Sequence, residues 1–533
     1  MDHVVVVGSG ASGVHFALSL LERGHRVTMV DGGKRGPVPP HPDATYTQLK
    51  ERLDDPARYL LGEDFGGVVL PDSGEEYYGV PPEKGFIFEH PDGFAPRSHG
   101  FSPLFSFAQG GLAEAWTAGC YPLNADEIED FPFAHSALQR GYETVARRIG
   151  VTGEDDDLAR FMPLHEGLMA PLRLDAHSEL LLDRYAKKRS WLNARLRCYL
   201  GRTRVATLSR DLGDRKACAY LGRCLWGCPI GALYTPSATL RECMGHPNFD
   251  YAGGLFASHF ALGAEGRATE LVARSIDGTE ERRFGIDVLA LAAGTLCSSG
   301  IVLESLRRDG AGDVALEGLM DNRQVLVPFV NQRMLGRAFE DEAYQYHLIG
   351  LGIEGETPRD YVHGQITTLK TAMMHPVVQS LPFDLGTSAL IGRATHAALG
   401  VVNVNFNDHR RPGNSVGLSG EDPGNLVVRY APASGEGDRL KRTLKTVSRA
   451  LRKLGCWVPP GMSHVRPMGA SVHYAGTLPM CENGGAWTTD PQGRSRDLPN
   501  VFLVDGCGFP FLPAKNITFT LMANAVRIAD SAF

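Results

Sequence analysis

Two domains of the α/β class are predicted by three features of this 533-residue chain. Its length exceeds what one hydrophobic core supports, so at least two intertwined domains are expected. The N-terminus reads as strand, glycine turn, helix and second strand, the start of a doubly wound, Rossmann-type parallel sheet. After about residue 310 the composition turns to strand signals, and α/β character returns after about residue 455.

The elements follow in order. Val4 to Val7 is a buried β run, glycines follow, Val14 to Leu21 has helical spacing, and Arg26 to Asp31 is a second strand. Residues 32–100 are rich in Pro, Gly and charge and read as irregular excursions. Helices are expected over 134–150 and 176–200, and a cysteine-bearing loop over about 214–236. Strand-like segments at Asp250–Leu262 and Thr269–Ser275 lead to Ile286–Gly294, an apolar strand closing on glycine. Residues 1–310 and 455–533 are therefore expected to form one discontinuous domain, with a sheet-based domain at 311–454. The second domain carries strand signals at Gln324–Val330, Gly400–Phe406 and Asn425–Tyr430, and an amphipathic helix at Asp438–Leu454. In the tail, Val501–Asp505 reads as a strand and Asn516–Asp530 as a helix. No internal repeat or low-complexity tract is visible.

Composition narrows the function classes. Hydrophobic residues are 43% and charged residues 22%, the proportions of an ordinary globular protein. A net charge of −7 without any Lys/Arg run argues against nucleic acid or an anionic membrane as partner. The chain enters an apolar strand at once, with no charged leader, and no stretch approaches the roughly 18 apolar residues that span a bilayer. A cytoplasmic location is expected, unless a partner subunit carries the chain elsewhere. Ten cysteines in this length are not a secreted disulfide framework.

Gly8-Ser9-Gly10-Ala11-Ser12-Gly13 fits G-x-G-x-x-G, and its setting between a strand and a helix gives the pattern weight. The glycines permit a tight turn and close approach of a pyrophosphate to the free N–H groups of a helix start. Asp31, ending the next strand, can accept hydrogen bonds from ribose hydroxyls. A second match, Gly350 to Gly355, runs into Glu-Thr-Pro with no apolar helix face after it, and reads as a plain turn. The pattern alone does not choose between flavin and nicotinamide dinucleotides.

The last seventy or so residues supply that choice. His473-Tyr474-Ala475-Gly476-Thr477, Asp490, LPNVFLVDG (498–506) and PAKNITFTLMANA (513–525) together resemble the glucose–methanol–choline (GMC) oxidoreductase family. Further matches lie at Gly110-Gly111 and at Leu291-Ala292-Ala293-Gly294-Thr295, so the resemblance runs the length of the chain with a loose middle. It implies a GMC-like two-domain fold, an FAD-binding domain plus a sheet-based substrate domain, and a catalytic pair at His473 and Asn516. Oxidising an alcohol needs a base for the hydroxyl proton while hydride leaves for the flavin, which suits a neutral imidazole. An amide can hold the same oxygen without titrating. Asn516 also stands where its helix is expected to begin, and Asn is a favoured N-cap. The helix start would then point its positive end at the flavin. The resemblance further implies FAD contacts at Gly8, Ser9, Gly10, Ala11, Ser12, Gly13, Asp31, Gly110, Gly111, Leu112, Ala113, Ala293, Gly294, Asp505, Gly506, Ile517 and Thr518. Some relatives attach FAD through a His near Gly110; none occurs from Gly110 to Gly119, so non-covalent FAD is expected. Trp116 is equally readable as a core aromatic, and His464 as a surface or supporting residue.

Cys218, Cys224 and Cys228 form C-x5-C-x3-C, followed by Pro229. Thiolates this close could ligate iron–sulfur or zinc. The segment CLWGCPIGALY (224–234) is similar to the cysteine loop of FAD-dependent sugar dehydrogenase large subunits, which implies a 3Fe–4S cluster drawing electrons from the flavin. Three inert thiols, a scaffolding disulfide or another metal with Cys243 as a distant fourth ligand stay open. Cys120, Cys297, Cys456 and Cys507 read as buried small residues.

The expected activity is FAD-dependent CH–OH oxidation of a small alcohol, with a sugar, glycoside or cyclitol favoured. With a cluster, electrons would pass to an external acceptor such as a small subunit or cytochrome. Without one, the chain could be an oxidase of alcohols or sterols using dioxygen. A flavin-dependent lyase or isomerase and a non-catalytic electron relay are the rival readings.

Overall fold

The computed structural model describes residues 2–63, 65, 76, 78–369, 378–379, 381–420 and 425–533. A five-stranded parallel sheet runs in the order Val501–Leu503, Val288–Leu291, His3–Val7, Arg26–Val30, Phe249–Ala252. The tetrad Val4 to Val7 is apolar on both faces because both are covered. Val4 and Val6 pack under helices Ala11–Glu22, Pro236–Met244 and Thr518–Ala532, whereas Val5 and Val7 meet helix Thr295–Arg308 and a three-stranded antiparallel sheet spanning 255–285. This double cover is what a continuous Val run, rather than an alternating one, encodes.

The second large sheet is antiparallel. Its order is Cys456–Trp457, Gln324–Asn331, Leu399–Asn405, Val362–Thr368, Ile349–Ile353, Cys198–Arg202, with His464–Val465 joined to the Gln324 strand. Strands from 198–202 and 456–465 thus enter a sheet whose centre lies within 311–454. One face is Val325, Val327, Phe329, Val402, Val404 and Ile366, buried beneath helices Ala176–Leu196 and Glu436–Leu454. Because side chains alternate, the other face carries Gln324, His363, Gln365, Asn403 and Asn405.

Several expectations need correction. The second glycine match is no plain turn: Ile349–Ile353 is a buried strand of this sheet. Its glycines stand on the polar face, where a Cβ on Gly352 would come within 2.5 Å of the Phe161 ring. The expected strand Asp250–Leu262 is two strands, Phe249–Ala252 and Leu255–Leu262, in different sheets. The C-terminal helix begins at Thr518 with Ile517 at its N-cap, so Asn516 does not cap it. Within the expected excursions of 32–100, short helices form at Tyr46–Arg52 and Pro56–Leu61; residues 64, 66–75 and 77 lie outside the description. No helix of the described residues is long and apolar enough to cross a membrane.

Candidate active site

A cavity of about 440 Å³ runs from the first glycine loop to the polar face of the antiparallel sheet. That size is within the usual range for small-molecule and cofactor sites. Gly8, Ser9, Gly10, Ala11, Ser12, Asp31, Gly110, Gly111, Leu112, Ala113, Ala293, Gly294, His473, Asp505, Gly506, Asn516, Ile517 and Thr518 all line it. Residues scattered over five hundred positions therefore converge on one space. Gly13 stands outside the lining because its role is packing.

The glycine loop divides its labour. A Cβ on Gly13 would meet the Gly8 carbonyl oxygen at 1.9 Å, and one on Gly8 the Ala292 carbonyl oxygen at 2.6 Å, so these two glycines let helix and strands touch. Gly10 is different: the nearest atom to a Cβ there is 3.9 Å away, leaving open space over the helix start. No side chain caps that helix, so its first N–H groups face the cavity and suit an anion. Ser9 joins the loops. Its Oγ donates to Asp31 at 2.8 Å and accepts from the Gly110 N–H at 2.9 Å. The Asp31 carboxylate also accepts from the Tyr251 hydroxyl and the Ser9 and Gly33 N–H groups, while burial raises its pKa. Asp505 accepts from the Gly294 N–H at 2.9 Å and from Ser298 at 2.5 Å, fixing the far side of the cavity. An open cradle at an uncapped helix start fits a dinucleotide.

At the other end stand the two candidate catalytic groups. His473 is 7% exposed. Burial first, then the charge of Arg466, lowers its pKa to about 3, so the imidazole is neutral at working pH. Its Nδ1 lies 3.1 Å from Asn322 Oδ1, and no described residue bonds Nε2. The loop before it is tightly held: Asp321 accepts from the Gly469 N–H and the Ser471 hydroxyl, and Ser471 accepts from the His473 N–H at 3.0 Å. Val472 sits at φ 64°, a left-handed conformation that is strained for a β-branched residue. Asn516 Oδ1 accepts from Gln365 Nε2 at 2.9 Å, which leaves its own NH2 group available. Next to it, Lys515 is fully buried, donates to the Pro122 and Phe161 carbonyls, and pairs with buried Glu127.

Gln324, Gln365, Asn403, Tyr78 and Arg466 complete the lining near His473. Sequence reading had missed these, together with Asp321 and Asn322. The run Val402-Asn403-Val404-Asn405-Phe406-Asn407 carried a signal, since strict alternation of apolar and amide residues marks a strand with an amide face. Trp116 does line the cavity, its indole N–H donating to the Tyr234 carbonyl at 2.7 Å. His464 is exposed and pairs with Glu76.

The cysteine loop adjoins the Trp116 side of the core, with Cys218, Cys224 and Cys228 packed around the same cluster as Trp116. None of the three is in a disulfide among the described residues, and burial pushes the Cys218 thiol up to about 11. Among the described residues no three His, Cys, Asp or Glu side chains are arranged to hold a metal ion. Cys243 is buried elsewhere, its thiol donating to the Val14 carbonyl. Cys120, Cys456 and Cys507 are buried as expected, whereas Cys297 is only partly so and lines the cavity.

Residues 412–525 match the GMC oxidoreductase family. Over 99% of the chain and 90% of the relative, the sequence is 23% identical to paromamine 6'-oxidase of Streptomyces fradiae. It is 24% identical to 6'''-hydroxyparomomycin C oxidase of Streptomyces lividus, over 98% of the chain and 90% of that protein. The fold is similar to the crystal structure of pyridoxine 4-oxidase from Mesorbium loti, with a TM-score of 0.60, 14% identity and 99% of both chains covered.

Proposed function

We propose that the chain is a GMC-type, FAD-dependent enzyme oxidising a CH–OH group of a small, sugar-like alcohol. The observation that carries this reading is the convergence of His473 and Asn516 on the cavity that begins at the glycine loop. The glycine loops, Asp31 and the 293–294 and 505–518 segments would hold FAD non-covalently, and bound FAD would supply the hydride acceptor.

The protein's part is binding, orientation and one proton. His473 Nε2 takes the hydroxyl proton of the substrate as the carbon-bound hydride departs. Asn516, its carbonyl oxygen occupied by Gln365, donates its N–H to the same substrate oxygen as negative charge grows there. The uncapped start of helix Thr518–Ala532 places its positive end on the cavity and favours electron-rich groups there. The amide face of Gln324, Gln365 and Asn403 offers paired donors and acceptors, matching hydroxyls that are each both. The names of the two Streptomyces relatives, paromamine 6'-oxidase and 6'''-hydroxyparomomycin C oxidase, point the same way.

The oxidation needs no iron–sulfur cluster, and among the described residues no three His, Cys, Asp or Glu side chains are arranged to hold a metal ion. Iron and sulfide analysis of anaerobically purified protein is expected to find neither in stoichiometric amount. For the main reading, FAD-loaded protein mixed anaerobically with primary alcohols of carbohydrates should lose its oxidised flavin band. Turnover without any acceptor would instead establish the lyase or isomerase reading.

A further inference from the structure

We infer that Asn322 is a positioning residue that holds the His473 imidazole as the Nδ1-protonated tautomer, leaving the Nε2 lone pair open to the cavity. The inference rests on His473 being the base of the proposed oxidation.

Asn322 is 1% exposed, and its amide orientation is fixed by its surroundings. Its Nδ2 donates to two backbone carbonyls, Phe406 and Pro513, both at 2.8 Å. A flip would set Oδ1 against two oxygens that can only accept, stranding three buried polar groups at once. Oδ1 is therefore the atom facing His473 Nδ1 at 3.1 Å, and it too can only accept. The ring nitrogen opposite must carry a proton. A neutral imidazole has a single N–H, so Nε2 is bare.

The same amide joins three segments. Pro513 lies three residues before Asn516, Phe406 follows the Leu399–Asn405 strand, and His473 belongs to the 469–473 turn. Asp321, one residue earlier, grips the backbone of that turn through Gly469 and Ser471. The dipeptide 321–322 thus sets the backbone and the ring of the base separately: Asp321 shapes the turn, and Asn322 decides which nitrogen can accept. A wrong tautomer would present an N–H to the substrate hydroxyl and have no lone pair to receive its proton.

The test is 15N NMR of FAD-loaded protein labelled at histidine, with His473 assigned by difference against His473→Asn. The wild-type ring is expected to show a protonated Nδ1 and a bare Nε2. Asn322→Leu should shift the proton to Nε2 or average the two states. Alcohol-driven flavin reduction should fall about 10–100-fold in kcat, with KM little changed, in Asn322→Leu. A wild-type His473 protonated at Nε2, or a ring unaltered by Asn322→Leu, would overturn the inference. If Asn322→Leu fails to fold, the wild-type spectrum still decides it. The predicted tautomer in a protein that no alcohol reduces would overturn the oxidation reading and leave this one standing.

Discussion

In the proposed oxidation His473 would be a base made available by burial rather than by titration. Its pKa of about 3 means that the neutral ring is present throughout the working range, so its protonation should not limit the rate near pH 6.5. The neighbouring group that titrates close to neutrality is Asp321, raised to about 7 by burial, with Asp408 nearby adding to the rise and Ser471, Gly469 and Arg323 opposing it. An inflection near pH 7 in the rate of flavin reduction is therefore expected to vanish in Asp321→Asn; its persistence would assign it elsewhere. His473→Ala should lower that rate by roughly 10²–10⁴-fold without displacing the flavin. The stability consequence has a definite sign. Below about pH 6.5 the unfolded chain protonates histidines that the native state keeps neutral, so stability falls as pH drops. His15 and His363, both lowered by burial, His165, at about 4, and His473 act together in this direction. Thermal midpoints measured between pH 8 and pH 5 check it. His473 and Asn516 stand out in the sequence because each sits in an ordered motif, and both line the cavity. Asn322 does not stand out, since a lone Asn in Met-Asp-Asn-Arg-Gln has no period and its partner is 151 residues away.

At the scale of elements, the first glycine loop was legible as strand, turn and helix, but the different duties of its glycines were not. Gly13→Ala drives a methyl into the Gly8 carbonyl, so both folding stability and flavin content should fall. Gly10→Ala meets only open space in the protein. Its thermal stability without cofactor should match the wild type, while FAD affinity falls at least about tenfold, or about 1.4 kcal/mol. Equal loss of stability in both variants would contradict this division. The second glycine pattern shows why motif and context must agree: Gly350 and Gly352 are small so that Leu158 and Phe161 can cover a strand. Asn516 makes the reverse point, because its side chain is spent on Gln365 of a distant strand rather than on its own helix.

Across the whole molecule, the C-terminal segment carrying Asn516 is locked to the rest by Lys515. Its ammonium is buried with Glu127 and two carbonyls, so Lys515→Met leaves the interior carboxylate without its counter-charge and with the Asn124 N–H as its remaining donor. A loss of about 3–5 kcal/mol in urea unfolding is expected. The division into two sheets was visible in the composition shift near residue 310. The entry of the 198–202 strand into the second sheet was not, because a short apolar strand does not declare its partner. The cysteine spacing suggests a ligand set, but among the described residues no three His, Cys, Asp or Glu side chains are arranged to hold a metal ion. Flavin chemistry at His473 is tested most directly by the anaerobic visible spectrum of FAD-loaded protein titrated with carbohydrate primary alcohols. The oxidised flavin band should bleach in wild type and persist in His473→Ala. A chain that binds no flavin, or equal bleaching in both proteins, would contradict it.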